Sequence, residues 1–172
     1  SYPILDLETG EASLILDQTE NSCSTASAGE SSSCESLPER LSVLFVDDDF
    51  ILRKLFARSI KKCLPQWEVC EAASGEAALQ LIQDRGAENQ FDIIFLDQYM
   101  ASTQKQLLGT ETARLMRVRG FNNVICGLSA NDIGAQFMEA GSNCFIIKPL
   151  PCDTKELSRE LNRVLGTKDI DL

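Results

Sequence analysis

Val43-Leu44-Phe45-Val46-Asp47-Asp48-Asp49 decides the reading of this chain: four apolar residues run without interruption into three carboxylates. An unbroken apolar run of that length suits a strand buried on both faces, the kind that parallel sheets contain. Just beyond it, Leu52, Leu55, Phe56 and Ile60 recur at helical spacing. The strand-then-helix unit repeats along the chain. Residues 67–72 partly alternate and read as an edge strand, and residues 75–82 read as a helix with Ala77, Ala78, Leu81 and Ile82 on one face. Residues 91–96 form a third, nearly unbroken apolar strand. After a polar loop, Thr110 is placed to cap a helix running to Arg119 and stopped by Gly120. Residues 124–128 read as a fourth strand, roughly 132–140 as a short helix before Gly141, and 144–147 as a fifth strand. The last helix has its own start signal in Asp153-Thr-Lys-Glu156, a capping-box pattern with Asp in place of Ser or Thr. Its apolar positions are Leu157, Leu161, Val164 and Leu165.

Five such units in about 125 residues predict an α/β fold: a doubly wound, five-stranded parallel sheet with helices on both faces. Ligands of such sheets bind beyond the carboxyl ends of the strands. The residues at those ends carry chemistry. The first strand runs into Asp47, Asp48 and Asp49, the third ends at Asp97, the fourth at Ser129, and the fifth at Lys148 followed by Pro149. Any one Asp so placed has a plain reading as the cap of the next helix, and Asp49 fits that reading. Chemistry-bearing residues at the ends of four of the five strands are hard to explain by capping alone.

Carboxylates gathered within about 4–5 Å repel by a few kcal/mol per pair at an effective dielectric near 20. They therefore stay partly protonated or bind a cation. A hard, all-oxygen site suits Mg²⁺, which takes one or two carboxylates together with phosphate oxygens. A Ca²⁺ loop fits poorly, because Asp47-Asp48-Asp49-Phe50 lacks the D-x-D-x-D-G spacing. Beside such a cation a carboxylate can attack a phosphoryl group, with Ser129 and Lys148 placed to contact its oxygens.

Composition narrows the chemistry. The chain has 172 residues, a net charge of −10, 44% hydrophobic residues and no histidine. The charge argues against a broad nucleic-acid footprint, and no apolar run reaches the roughly 18 residues that span a bilayer. Without histidine, His-based zinc sites, Ser-His or Cys-His catalysis and phosphohistidine are excluded within these residues. The seven cysteines include no C-x-x-C pair, and several lie inside apolar runs, so they read as small reduced hydrophobes of a cytoplasmic protein. Residues 21–38 are rich in Ser, Thr and Glu, and residues 1–40 read as a disordered linker or extension. A short hairpin around Glu8-Thr9-Gly10 is the other reading of its first part. The domain is expected over 41–166, with 167–172 as a tail.

Four stretches carry a resemblance: Val-Leu-Phe-Val-Asp47-Asp48-Asp, Phe-Asp-Ile-Ile-Phe-Leu-Asp97-Gln-Tyr-Met, Val-Ile-Cys-Gly-Leu-Ser129-Ala, and Gly141-Ser-Asn-Cys-Phe145-Ile-Ile-Lys148-Pro149. In this order and spacing they resemble the CheY-like receiver domain of two-component response regulators over about residues 41–166. The resemblance implies a flavodoxin-like strand order 2-1-3-4-5. It implies that Asp97 is the phosphoacceptor, and that Asp47, Asp48, Asp97 and the backbone carbonyl of Tyr99 hold Mg²⁺. Ser129 would be the switch hydroxyl, Phe145 the aromatic that follows it, and Lys148 the contact to the acyl phosphate, with a cis Lys148–Pro149 bond. The implied partner is a histidine kinase or histidine phosphotransfer domain, with a phosphorylation-dependent homodimer as a further expectation. No nucleic-acid or membrane contact is expected, and the setting is the C-terminal receiver of a hybrid histidine kinase or a stand-alone regulator.

Three features depart from the family pattern. Met100 is followed by Ala101 rather than Pro, with an extended loop over 102–108 before Gly109. The stretch from Ser129 to Gly141 is about three residues short, so the fourth helix is expected to lose its first turn. Tyr99 is bulky for its place beside the acceptor. An unphosphorylated pseudo-receiver is the rival reading, although no acidic-pair residue, acceptor or lysine is missing. A phosphoaspartate hydrolase of the haloacid-dehalogenase type would need an Asp where Tyr99 stands, and a flavodoxin-like cofactor binder would need a hydroxyl-rich loop where Asp47, Asp48 and Asp49 stand.

Overall fold

A computed structural model describes residues 37–100 and 107–167. The readings made for residues 1–36, for 101–106 of the extended loop and for 168–172 of the tail lie outside the described residues. Five strands alternate with five helices: β1 (Ser42–Val46), α1 (Phe50–Cys63), β2 (Glu68–Ala72), α2 (Gly75–Arg85), β3 (Ile93–Asp97), α3 (Gly109–Val118), β4 (Val124–Ser129), α4 (Gly134–Glu139), β5 (Cys144–Ile147) and α5 (Thr154–Gly166). A single 3-10 turn, Ala87–Asn89, leads into β3. All four strand pairings are parallel, and the order is β2-β1-β3-β4-β5. This is the doubly wound, flavodoxin-like sheet expected from the alternation and the resemblance.

Strand position follows from side-chain character. The unbroken apolar runs of β1, β3 and β4 occupy the three central places, where both faces are covered. β2 carries Glu68 and Glu71 and lies at one edge, where charged side chains reach water. Successive residues of a strand point to opposite faces, so β1 contributes to two cores. Val43 and Phe45 pack with Phe56, Ile60, Phe95, Leu157 and Leu161 beneath α1 and α5. Leu44 and Val46 pack with Ile94, Leu96, Ala113, Met116 and Phe137 on the other face.

Local signals set most helix starts. Asp49 accepts hydrogen bonds from the amides of Ile51 (2.8 Å) and Leu52 (3.2 Å) and caps α1. Asp153 does the same for α5 from Lys155 (2.9 Å) and Glu156 (3.3 Å). Gly120 and Gly141 follow α3 and α4 with φ of +85° and +93°, a region that side chains with a Cβ rarely enter.

Three expectations are corrected. Thr110 is not the cap of α3: the helix begins one residue earlier, and Thr110 is buried within its first turn. Its amide donates to Gln98 Oε1 at 3.0 Å, so a contact from the end of β3 fixes the helix start. Leu52 and Leu55 are not core residues; they are 39% and 44% exposed, and they line a cleft of about 320 Å³ facing Pro149, Leu150 and Pro151. The fourth helix begins at Gly134 rather than near residue 132, because the Asn131 amide turns back to Ser129 Oγ at 3.1 Å. The five described cysteines are free thiols, with Cys126 and Cys144 buried opposite one another on β4 and β5. Among the described residues no helix is long and apolar enough to cross a membrane.

Candidate functional site

Because every strand runs the same way, the carboxyl ends of β1, β3, β4 and β5 share one rim. Asp47 follows β1 directly, and its amide donates to Ala72 O at 3.1 Å, prolonging the ladder with β2 by one bond. Asp97 is the last residue of β3 and lies opposite Leu128 of β4, one residue before Ser129. Lys148 follows β5, and its amide donates to Ser129 O at 2.9 Å. The polar residues at this rim are thus held by the sheet rather than by free loops.

The sheet brings Asp47, Asp48, Asp97 and Lys148 together. Carboxylate oxygens of the three aspartates lie within 4.8 Å of one another. Lys148 Nζ bridges two of them, at 2.6 Å from Asp47 Oδ2 and 2.9 Å from Asp97 Oδ1. Asp47 and Asp97 are 1% and 6% exposed, whereas Asp48 is exposed at the mouth. Three carboxylates and one ammonium leave a surplus of two negative charges when all are ionised (−3 + 1 = −2). The cluster is all-oxygen, with two of its three carboxylates buried, a donor set that could hold a hard cation.

Asp97 and Lys148 are both shifted from their ordinary values. Burial pushes the Asp97 carboxyl above its ordinary value, and the hydrogen bond and charge of Lys148 only partly oppose this, while Asp47 adds to it. Burial works against the Lys148 ammonium, but its hydrogen bonds to Asp47 and Asp97 prevail and raise its pKa.

Of the other expected residues, Ser129 ends β4 at the same rim. Ser129 is 1% exposed, with its hydroxyl oxygen accepting from the Asn131 amide. Tyr99 is 57% exposed. Phe145 is half-buried, its ring stacked on Phe137 with centroids 5.7 Å apart. The Lys148–Pro149 peptide is cis.

Two supporting residues escaped the sequence reading. Gln98, 3% exposed, receives the Thr110 amide and so ties the end of β3 to α3. Gly109 lies so close behind the end of β3 that a Cβ there would come within 2.3 Å of Asp97 O. A glutamine after a strand and a single glycine before a helix carry no signal of their own; only the tertiary contact gives them meaning.

The geometry agrees with comparison to known proteins. Residues 43–162 match the response regulator receiver domain family. The chain belongs to this family. Receiver relatives include the two-component response regulator ORR41 of Oryza sativa subsp. japonica, 31% identical over 111 residues, covering 63% of this chain and 83% of that protein. The two-component response regulator ARR22 of Arabidopsis thaliana is 30% identical over 131 residues, covering 74% and 87% of the two chains. The histidine kinase CKI1 of Arabidopsis thaliana is 30% identical over 121 residues, which are 63% of this chain and 11% of the kinase. Among solved structures, the receiver domain of the response regulator NarL from Mycobacterium tuberculosis superposes with a TM-score of 0.61 at 26% identity, covering 75% of this receiver and 99% of that chain. The chemotaxis protein CheY4 of Vibrio cholerae also gives 0.61, at 24% identity, and shows the shared fold.

Proposed function

We propose that this receiver accepts a phosphoryl group on Asp97 from a phosphohistidine and serves as a switch or relay in two-component signalling. The observation that carries the reading is the bridge of Lys148 between Asp47 and Asp97, inside a cluster of three carboxylates held at the strand ends. The 172 residues contain no histidine, so the donor lies outside them, on a histidine kinase or a histidine phosphotransfer domain. Similarity to response regulators and to a histidine kinase supports that partner class.

In the transfer, a carboxylate oxygen of Asp97 attacks phosphorus, the bond from phosphorus to the donor imidazole nitrogen breaks, and the imidazole leaves with its electron pair and takes up a proton. Lys148, already on Asp97 Oδ1, is placed to hold a phosphoryl oxygen as charge accumulates. The Ser129 hydroxyl is the proposed donor to another. Asp47, Asp48, Asp97 and the carbonyl of Tyr99 are the proposed Mg²⁺ ligands. The ion, when bound, would offset negative charge on the phosphoryl oxygens. Phe145, stacked beside α4, is the proposed aromatic partner of the Ser129 switch.

Incubation with acetyl phosphate and Mg²⁺, followed by intact mass, tests the reading. The expected result is an adduct of about 80 Da that chelation or Asp97→Asn abolishes. Absence of any adduct on a folded, Mg²⁺-loaded protein would leave only the pseudo-receiver. Tyr99, exposed beside the acceptor, is proposed to shield the acyl phosphate from water. Tyr99→Asn is expected to shorten the phosphoryl lifetime several-fold, and an unchanged lifetime would remove that role.

A further inference from the structure

Arg53 lies on the first turns of α1, six residues after Asp47. Its side chain folds back over the acidic loop instead of reaching into water, and is 13% exposed. One terminal nitrogen, Nη1, donates to two successive main-chain carbonyls, Asp47 O at 2.6 Å and Asp48 O at 3.1 Å. Its Nε faces Glu71 Oε2 of β2 at 3.5 Å. Glu71 in turn receives Lys54 Nζ at 2.8 Å on its other oxygen.

Asp47 is secured on three sides, by its amide on Ala72 O, by Oδ2 on Lys148 and by Oδ1 on the Asp49 amide at 2.9 Å. Asp48 has left the sheet and is exposed. Its carboxylate direction depends on the peptide planes on either side of it, and these are the two planes whose oxygens Arg53 holds. A guanidinium is rigid and planar, so it fixes the carbonyls relative to each other as well as drawing them in. Its charge is shared with Glu71, itself contacted by Lys54, so a purely electrostatic effect on the carboxylates is blunted.

We infer that Arg53 is a positioning residue for the divalent-cation site: by clamping the carbonyls of Asp47 and Asp48 it presets the direction of the acidic pair and so sets metal affinity. The inference rests on the Mg²⁺ reading proposed above and deepens it. Groups that orient metal ligands from behind typically change affinity by about 10–100-fold when removed. A role limited to packing α1 on β2 would alter unfolding without altering metal affinity.

Calorimetric Mg²⁺ titration of wild type, Arg53→Met, Arg53→Lys and Lys54→Met separates these cases, with amide ¹⁵N shifts of Asp48 and Asp49 recorded in parallel. Arg53→Met is expected to weaken Mg²⁺ binding by about tenfold and to move both amide signals in the metal-free protein. Arg53→Lys is expected to restore little, because an ammonium has no second nitrogen to stay on Glu71 while it serves both carbonyls. Lys54→Met, which shares Glu71 but touches neither carbonyl, is expected to bind as wild type does. Where Arg53→Met fails to fold, Arg53→Gln, with a single amide nitrogen on a shorter stem, is expected to give an intermediate loss. Affinity within twofold of wild type in a folded Arg53 variant, or full rescue by lysine, would overturn the inference. Failure of wild type itself to bind Mg²⁺ would instead remove the metal reading on which it rests.

Discussion

At the scale of single residues the site is a balance between buried charge and its compensation. Asp97 is a weaker acid in the folded chain than in the unfolded one, chiefly because of burial. The folded state therefore binds its proton more tightly. That contribution to stability is full below the ordinary value of 3.8 and disappears as pH rises through the folded value, so at neutral pH the ionised Asp97 weighs against folding. Lys148 has the opposite balance: its raised pKa contributes stability that is present below its ordinary 10.5 and is lost as pH rises through the folded value. Two stability changes follow. Asp97→Asn is expected to raise the melting temperature by a few degrees at pH 7, with the gap to wild type closing as pH falls and the wild-type carboxyl protonates. Lys148→Met strands two buried carboxylates and is expected to cost about 3 kcal/mol by urea unfolding. Adding Asp97→Asn to Lys148→Met should recover part of that loss. Strict additivity of the two changes would show that the bridge is not a coupled unit. The charged residues themselves were legible in the sequence because they end apolar runs. The bridge was not, because Lys148 and Asp47 are 101 residues apart.

At the scale of elements, what the sequence displayed depended on whether a boundary is set locally. The caps at Asp49 and Asp153 were readable because the acceptor side chain and the amides it serves lie within three residues. The start of α3 was not, since it is held by the Thr110 amide donating to Gln98 Oε1, 12 residues upstream. Leu52 and Leu55 had the spacing of a buried face, yet α5 and its lead-in leave that flank of α1 open as a cleft. Periodicity identifies a helix and its apolar side, but neighbouring elements decide how much of that side is covered. Gly109 shows how tightly α3 abuts the acceptor strand. Gly109→Ala places a methyl 2.3 Å from Asp97 O and 2.9 Å from Gln98 Cα, both backbone atoms. The expected cost is about 1–3 kcal/mol in a urea melt, with slower phosphorylation by acetyl phosphate, because the acceptor main chain must shift. Wild-type stability and rate would mean that the helix start yields without moving Asp97.

For the whole molecule, the alternation of five strands with amphipathic segments was enough to fix a doubly wound parallel sheet, because parallel strands require covered faces and right-handed crossovers. The two cores divide along the parity of the β1 residues, which is why one strand supports α1 and α5 on one side and α2, α3 and α4 on the other. The strand order β2-β1-β3-β4-β5, which only the resemblance had implied, places Asp47, Asp97, Ser129 and Lys148 at one rim. This convergence is proposed to serve a single phosphoacceptor, Asp97. Reductive trapping tests that claim most directly: the protein is treated with acetyl phosphate and Mg²⁺, reduced with borohydride, digested and mapped by mass spectrometry. The account predicts homoserine at position 97 and at no other aspartate, with none formed when Mg²⁺ is chelated. Homoserine at position 47 or 48 instead, or an unmodified position 97 in folded, metal-loaded protein, would contradict it.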